Sequence, residues 1–331
     1  MVRIVDVAKK ASVSTATVSR VLSKPGAVKE ATTQRVLKAI EALNYQPNVL
    51  ARQLRRSETN TILVVVPDIT NPFFSNVLRG IKSVANTNGY QLLLGDTGND
   101  VELENDYLNI LQQKKADGMI LLTARMEPQI VEEATKSFPV VLACEYIEGS
   151  SIPTVSIDNI SGARKAAEYL IELGHKRIGC ITGPLNVVLG KDRLKGFYQA
   201  MTQRGLDVEP VLVQEGDFSF ESGFNLMLKF LALNEWPTAI FAANDEMAMG
   251  AIKALKSKGI QVPEEISIIG FDDIKFASIF EPALTTIAQP AFAIGVNAME
   301  LLIKLINKED VKREQIILDD QLIVRESCSR H

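Results

Sequence analysis

Cysteine and histidine are nearly missing from this chain, with three of one and two of the other in 331 residues. Cys144, Cys180 and Cys328 are odd in number and lack a C-x-x-C spacing, so structural thiols are expected rather than a disulfide framework. With only His175 and His331 beside them, neither a resident metal nor a histidine general base is expected. No Walker A loop, G-x-S-x-G elbow or dinucleotide-type glycine turn occurs, so no cofactor and no catalytic residue is assigned. There is no apolar run of about twenty residues and no charged-then-apolar leader, so neither a membrane span nor export is expected and the protein is placed in the cytoplasm. Short-period repeats and low-complexity tracts are missing too.

What is present divides unevenly. Residues 1–57 carry eleven basic side chains against Asp6, Glu30 and Glu41, a balance of +8, while the whole chain is −4 and the remainder therefore −12. A basic head on an acidic body fits binding to phosphates, because neutralising them releases counterions. Within that head, VSTATVSRVL at residues 13–22 sets Val18, Val21 and Leu22 at i, i+3 and i+4, an apolar stripe with Thr15, Ala16, Ser19 and Arg20 on the other faces. Ser14 stands at the N-cap position, where its hydroxyl satisfies an early amide and leaves others for a phosphate. Upstream, Val7, Ala8 and Ala11 share one face of a short helix; downstream, Val36, Ile40 and Leu43 repeat at i, i+4 and i+7. The spacing predicts a helix-turn-helix with a third helix closing its core, although periodicity alone also allows any small three-helix domain.

From Thr61 on, strand-length runs rich in Val, Ile and Leu alternate with amphipathic segments: TILVVVP, SNVLRGIKSVANTNGY, QLLLGD, ENDYLNILQQKKADG, MILLT. That alternation predicts βαβ units and parallel sheet covered by helices on both faces. A second such series begins at Thr154 and runs through RIGCITG, AIFAAN and ISIIGFD, which implies two similar lobes facing a cleft. Ligands of open parallel sheets bind beyond the carboxyl ends of the strands, so the loops there are the places to look for effector residues.

The opening IVDVAKKASVSTATVSRVL, then NYQPNVLARQLRR, then the body motifs VVVPDITNPFFSNVLRGI, GHKRIGCITGP, SIIGFDDI and LTTIAQP resemble the lactose-repressor (LacI/GalR) family over essentially the whole chain, and look most like its cytidine-repressor branch. The resemblance implies an all-α helix-turn-helix head and an α/β two-lobed periplasmic-binding-protein-like body with parallel sheets. It divides the chain into a DNA-binding domain at 1–46, a hinge helix and linker at 47–60, and an effector-binding and dimerisation domain at 61–331. The first lobe is expected at 61–158 and 290–320 and the second at 159–289 and 321–331, with crossings near Asp158, Gln289 and Asp320. Two departures stand out: Lys29 replaces the family's usual Ser before the third helix, and Thr33 replaces its common Arg, which bears on the helix cap and on phosphate contacts.

By the same resemblance Ser14, Thr15, Ala16, Thr17, Ser19, Arg20, Asn48, Leu54 and Arg55 contact operator DNA. Arg20 has the donors for guanine O6 and N7, and a solvated or phosphate-bound Arg20 is the plainer alternative. Leu50, Ala51 and Leu54 share one face of a segment about two turns long, too short to be stable in water without a partner. The family pairs this hinge with its twin in the minor groove, with Leu54 as the wedge; a plain basic linker is the other reading. For the cleft, the resemblance singles out Arg193, Asn244, Asp272 and Gln289, whose carboxylate, amide and guanidinium groups suit vicinal hydroxyls. Phe73, Phe74 and Phe218 are placed to clamp a flat sugar face or base, or else to serve as core, and Glu145 or Asp158 to accept from an amino group. Asn186, Val187, Val188 and Leu189 form a loop too apolar to hold a purine by the family's polar contacts. The implied function is a homodimeric regulator, a repressor, of a pseudo-palindromic operator, controlled by a sugar or nucleoside effector. A transport-type solute-binding protein is the alternative that the body alone would suggest.

Overall fold

The computed structural model describes residues 2–23, 25–45, 59–123, 125–311 and 315–331. The chain divides at Glu58 into two compact units. In the first, helices α1 (Ile4–Ala11), α2 (Thr15–Ser23) and α3 (Glu30–Ala42) pack around Val7, Ala8, Ala11, Val18, Val21, Val36 and Ala39. The Arg3 N–H donates to Asp6 Oδ2 at 2.8 Å at the start of α1, and Ser12 ends that helix in the left-handed region at φ 54°. Leu22 departs from the expected stripe, being 36% exposed. Val18 and Val21 already fill the side that meets the other helices, and one further step of about 100° carries Leu22 to the rim.

The second unit holds two six-stranded sheets. One is ordered β11-β5-β4-β3-β1-β2, from β1 (Thr61–Val66), β2 (Gln91–Asp96), β3 (Gly118–Leu121), β4 (Val140–Ala143), β5 (Thr154–Ile157) and β11 (Gln315–Leu318), with every pairing parallel. The other is ordered β12-β10-β9-β8-β6-β7, from β6 (Ile178–Thr182), β7 (Val213–Glu215), β8 (Ala239–Ala242), β9 (Ser267–Asp272), β10 (Thr285–Ala288) and β12 (Gln321–Ile323). Only its β10–β12 pair runs antiparallel. β1 reads TILVVV and is buried from Ile62 to Val66, as a strand covered on both faces must be. β2 lies at a sheet edge, and there Leu93 and Leu94 are exposed.

Helices α4 (Pro72–Thr87), α5 (Val101–Gln112) and α6 (Pro128–Thr135) alternate with the strands of the first sheet. α7 (Asn159–Glu172), α8 (Val188–Gln203), α9 (Phe220–Leu231) and α10 (Asp245–Ser257) alternate with those of the second. α11 (Ala291–Ile306) follows β10 of the second sheet but packs on α4, β3 and β4 of the first. The chain thus passes between the lobes after β5, after β10 and after β11. At the last passage Asp320 is buried and accepts from Lys165 Nζ of α7 at 2.8 Å. α4 and α11 cross with backbones in contact at Gly80 and Gly295, where each glycine faces the other helix's main chain.

Candidate functional site

In the head, the Thr17 N–H donates to Ser14 Oγ at 3.2 Å, so Ser14 caps the start of α2. Thr15, Ala16 and Arg20 are exposed on one side of that helix, with Thr17 and Ser19 half-buried. At α3 the cap position holds Lys29, whose side chain makes no capping bond, and Thr33 is buried with its Oγ1 donating to the Val28 carbonyl at 3.5 Å. α3 therefore starts without a side-chain cap from Lys29, and Thr33 sits inward. Asn48, Leu54 and Arg55 lie outside the described residues.

The body carries a cavity of about 530 Å³, lined from both sheets' carboxyl ends. On the second lobe's side, β9 ends at Asp272, whose φ of 114° is one that L residues rarely adopt. Its carboxylate accepts from Gln289 Nε2 at 2.7 Å and pairs with Arg193 Nη1 at 3.3 Å. Arg193 comes from the second turn of α8 and is buried. Its guanidinium donates to Asn159 Oδ1 at 3.0 Å and to the Ala243 carbonyl, and stacks on the Phe271 ring at 3.8 Å. Asp245 lies behind this pair, accepting from Thr286 Oγ1 at 2.6 Å and from the Ile274 N–H at 2.8 Å. Asn244 caps α10, accepting from the Met247 N–H at 2.9 Å, and its amide donates to the Phe218 carbonyl at 2.9 Å. That bond holds Phe218 at a φ of 71° with its ring against Gly183, where a side chain would collide with it.

The first lobe contributes Phe73 and Phe74 from the opening turn of α4, which Asn71 caps by accepting from the Phe73 N–H at 2.9 Å. The two rings meet edge to face, with centroids 5.3 Å apart, and both are buried, so they are core and cavity wall at once. Glu145 follows β4, is buried and lines the cavity. The cavity therefore brings together eight of the nine residues singled out in the body; Asp158 is the exception. Asp158 is exposed and accepts from the Ser161 N–H at 3.0 Å, capping α7. A carboxylate just before a helix satisfies an otherwise orphaned amide there, and Asp158 is not among the residues that line the cavity. Asn99, Arg125, Asp217 and Glu246 also line it, none of them singled out by the sequence motifs. Asn99 and Arg125 follow strands β2 and β3, so the strand-end rule would have found them.

Burial governs the charges. It pushes Asp272 up to about 6, against the opposing pull of Arg193 and Gln289. It raises Asp245 well above the usual carboxylate range, with Asp272 adding to the effect, and lowers Arg193. Glu246, in the first turn of α10, is pushed to about 7 by burial and by the charges of Asp68, Asp272 and Glu221. A carboxyl raised in the folded state contributes stability that is present below its ordinary value of 4.5 and lost as pH climbs through about 7. Glu246→Gln removes that loss, so the variant should gain on the parent chain as pH rises. The gain is at most roughly 1.4 kcal/mol for each tenfold fall in proton concentration across that window, and solvent screening of this half-buried group reduces it. Urea midpoints at about pH 5 and about pH 8 measure it; a difference between the two proteins that does not change with pH would contradict this account of the site.

Residues 3–48 match the family described as bacterial regulatory proteins, lacI family, and residues 59–326 match periplasmic binding proteins and sugar binding domain of LacI family. The chain belongs to the LacI family. Its LacI-family relatives include the HTH-type transcriptional repressor CytR of Escherichia coli K12, 44% identical over 97% of this chain and 95% of that protein. Catabolite control protein A of Priestia megaterium is 39% identical over 98% of this chain and 99% of its own. Among solved structures, the lac repressor dimer bound to operator and the anti-inducer ONPF is 30% identical with a TM-score of 0.89, covering 99% of both chains. A LacI-family transcriptional regulator from Enterococcus faecium with bound ribose is also 30% identical, with a TM-score of 0.75 over 82% of this chain and 99% of that one. This LacI-family chain is a DNA-binding transcriptional regulator, and its relatives are regulators rather than enzymes. The helix-turn-helix head separates it from transport-type binding proteins. Among the described residues no helix is long and apolar enough to cross a membrane.

Proposed function

We propose that this protein is a repressor that binds a pseudo-palindromic operator as a homodimer in the cytoplasm, and that a small sugar or nucleoside in the body's cavity controls that binding. The observation that carries the reading is the buried Arg193–Asp272–Gln289 cluster opening onto a cavity walled by Phe73, Phe74 and Phe218. Fixed donors and acceptors beside flat apolar rings are what a polyhydroxyl ring or nucleoside requires. The relative with bound ribose and the operator-bound lac repressor dimer support the two halves of the reading. The proposed DNA-contacting set is Ser14, Thr15, Ala16, Thr17, Ser19 and Arg20, with Asn48, Leu54 and Arg55. A ligand shifts operator affinity only through its different affinity for the two states of the body. Operator titration of the full chain with and without ribose or cytidine therefore tests the reading, and an operator affinity indifferent to every sugar and nucleoside tried would defeat it.

Arg20 is exposed on α2 beside Thr15 and Ala16. Arg20→Ala is expected to weaken operator binding by about 1–3 kcal/mol and leave binding to random duplex nearly unchanged, because a base contact carries sequence information and a phosphate contact does not. Fluorescence anisotropy on both duplexes separates the two, and an equal loss on each would assign Arg20 to the phosphates.

A further inference from the structure

The loop after β3 brings a second guanidinium to the cavity. The backbone N–H groups of Arg125 and Met126 donate to Glu104 Oε2 at 3.3 and 3.2 Å, and Thr123 Oγ1 donates to Glu104 Oε1 at 2.8 Å. Glu104 is fully buried on α5, so this loop is pinned from inside its own lobe. The Arg125 side chain is held much less firmly. Its Nη1 donates to the Asn99 carbonyl at 3.4 Å, and its buried Nε has no hydrogen-bond partner among the described residues. Arg193 is held more firmly, its Nε and Nη1 being taken up by Asn159, Ala243 and Asp272. Arg125 lines the cavity with Nη hydrogens beyond the one given to Asn99, and an acceptor placed against one of them gains a charge-assisted hydrogen bond. A pinned loop adds to the gain because little has to be ordered on binding.

The charges around the cavity say which kind of acceptor fits. Asp68, Glu145, Asp217, Glu221, Glu246 and Asp272 line it against only Arg125 and Arg193. A phosphate or carboxylate would enter a field of its own sign, whereas a neutral carbonyl or ring nitrogen takes the guanidinium's hydrogen bond without that repulsion.

We propose that Arg125 is a specificity-determining residue of the cavity, donating through its guanidinium to an uncharged acceptor, a ring carbonyl or ring nitrogen, on the part of the effector that faces the first lobe. This rests on the reading of the cavity as the effector site. A bare pentose offers only hydroxyls there, while a pyrimidine nucleoside offers the acceptor edge of its base.

Calorimetric titration of the full chain with ribose, cytidine and cytidine 5′-monophosphate tests it, using the parent protein, Arg125→Ala and Arg125→Lys. Cytidine is expected to bind the parent more tightly than either other probe. Arg125→Ala should weaken cytidine by about tenfold to a hundredfold, the worth of one charge-assisted hydrogen bond, and ribose by less than about threefold. Arg125→Lys should restore part of the cytidine affinity. If Arg125→Ala does not fold by its thermal midpoint, Arg125→Gln takes its place with the same expectation. Equal losses for cytidine and ribose, or no loss for cytidine, overturn the role of Arg125. Tighter binding of the monophosphate overturns the uncharged acceptor, and binding of ribose without cytidine overturns the ring acceptor. No binding of any probe by the parent chain instead overturns the effector reading on which the proposal stands.

Discussion

Replacing Arg193 with alanine is expected to abolish the ligand response and to destabilise the body by about 3–5 kcal/mol, the range for removing one partner of a buried ion pair. The guanidinium is buried, and its loss strands Asp272 beside Asp245, with Gln289 as its remaining neutral partner. Two buried carboxylates without a cation favour taking up a proton. Asp272 already stands near 6 with Arg193 present, so in the variant it should hold its proton into neutral pH. The raised carboxyl then contributes stability in acid that fades as pH rises, so the deficit of Arg193→Ala should widen between about pH 5.5 and about pH 8. Asp272→Asn is the contrasting change. It keeps the size of the side chain and an acceptor for Gln289, so it should cost less stability while still removing the ligand response. Urea midpoints at the two pH values and calorimetry with ribose and cytidine measure both effects. An Arg193→Ala protein within about 0.5 kcal/mol of the parent would show that the buried pair is not needed for the fold.

The second large effect is expected away from the cavity, at the crossing of α4 and α11. A side chain at Gly295 would fall on the Val77 carbonyl and within 2.9 Å of the Ile81 N; one at Gly80 would fall on the Phe292 carbonyl and within 2.9 Å of the Val296 N. Those neighbours are main chain and cannot rotate aside, so the helices must separate. Gly295→Val is expected to cost about 3 kcal/mol or more, at the upper end for overpacking. Gly26→Ala, where nothing lies within 4 Å, should stay within about 0.5 kcal/mol of the parent. α11 begins two residues after Gln289, the amide that bonds Asp272, so forcing α11 outward should also weaken ligand binding. Thermal midpoints of both variants, with ribose or cytidine titrations of Gly295→Val, decide the matter; a midpoint like the parent's would mean that the two helices have room to spare.

Particular elements show why some of this could be read in the sequence and some could not. TILVVV announces a strand buried on both faces because an unbroken apolar run of that length has few other homes. Ser14 before α2 works as a cap through three adjacent residues, so nothing distant can change it. Asp158 shows the limit. A carboxylate that ends a strand and begins a helix is both a candidate ligand and a candidate cap, and only the three-dimensional path of the chain decides that it bonds Ser161. Leu22 and Leu93 likewise follow an apolar pattern yet lie exposed, since which side of a short helix or an edge strand is covered depends on neighbours remote in sequence. Arg125 is legible in part: it follows β3, where the strand-end rule looks, but how its loop is held depends on Glu104, a residue of another helix. The strand-end rule points to the cavity lining as a set, while which of those side chains reach the cavity depends on packing remote in sequence.

The three passages between the lobes also set the order in which the protein can be completed during synthesis. The head is continuous in sequence and has its core once α3 is made. The first sheet is different: β1 to β5 emerge early, but α11, which covers β3, β4 and α4, and the edge strand β11 arrive only after most of the second lobe. At roughly 5–20 residues per second of translation, the apolar face that α11 covers waits on the order of ten seconds. The second sheet in turn lacks β12 until β11 has been made. Neither lobe can close before the other is nearly finished, so the nascent body exposes unpaired strand edges and core surface through much of its synthesis, the condition under which aggregation is favoured.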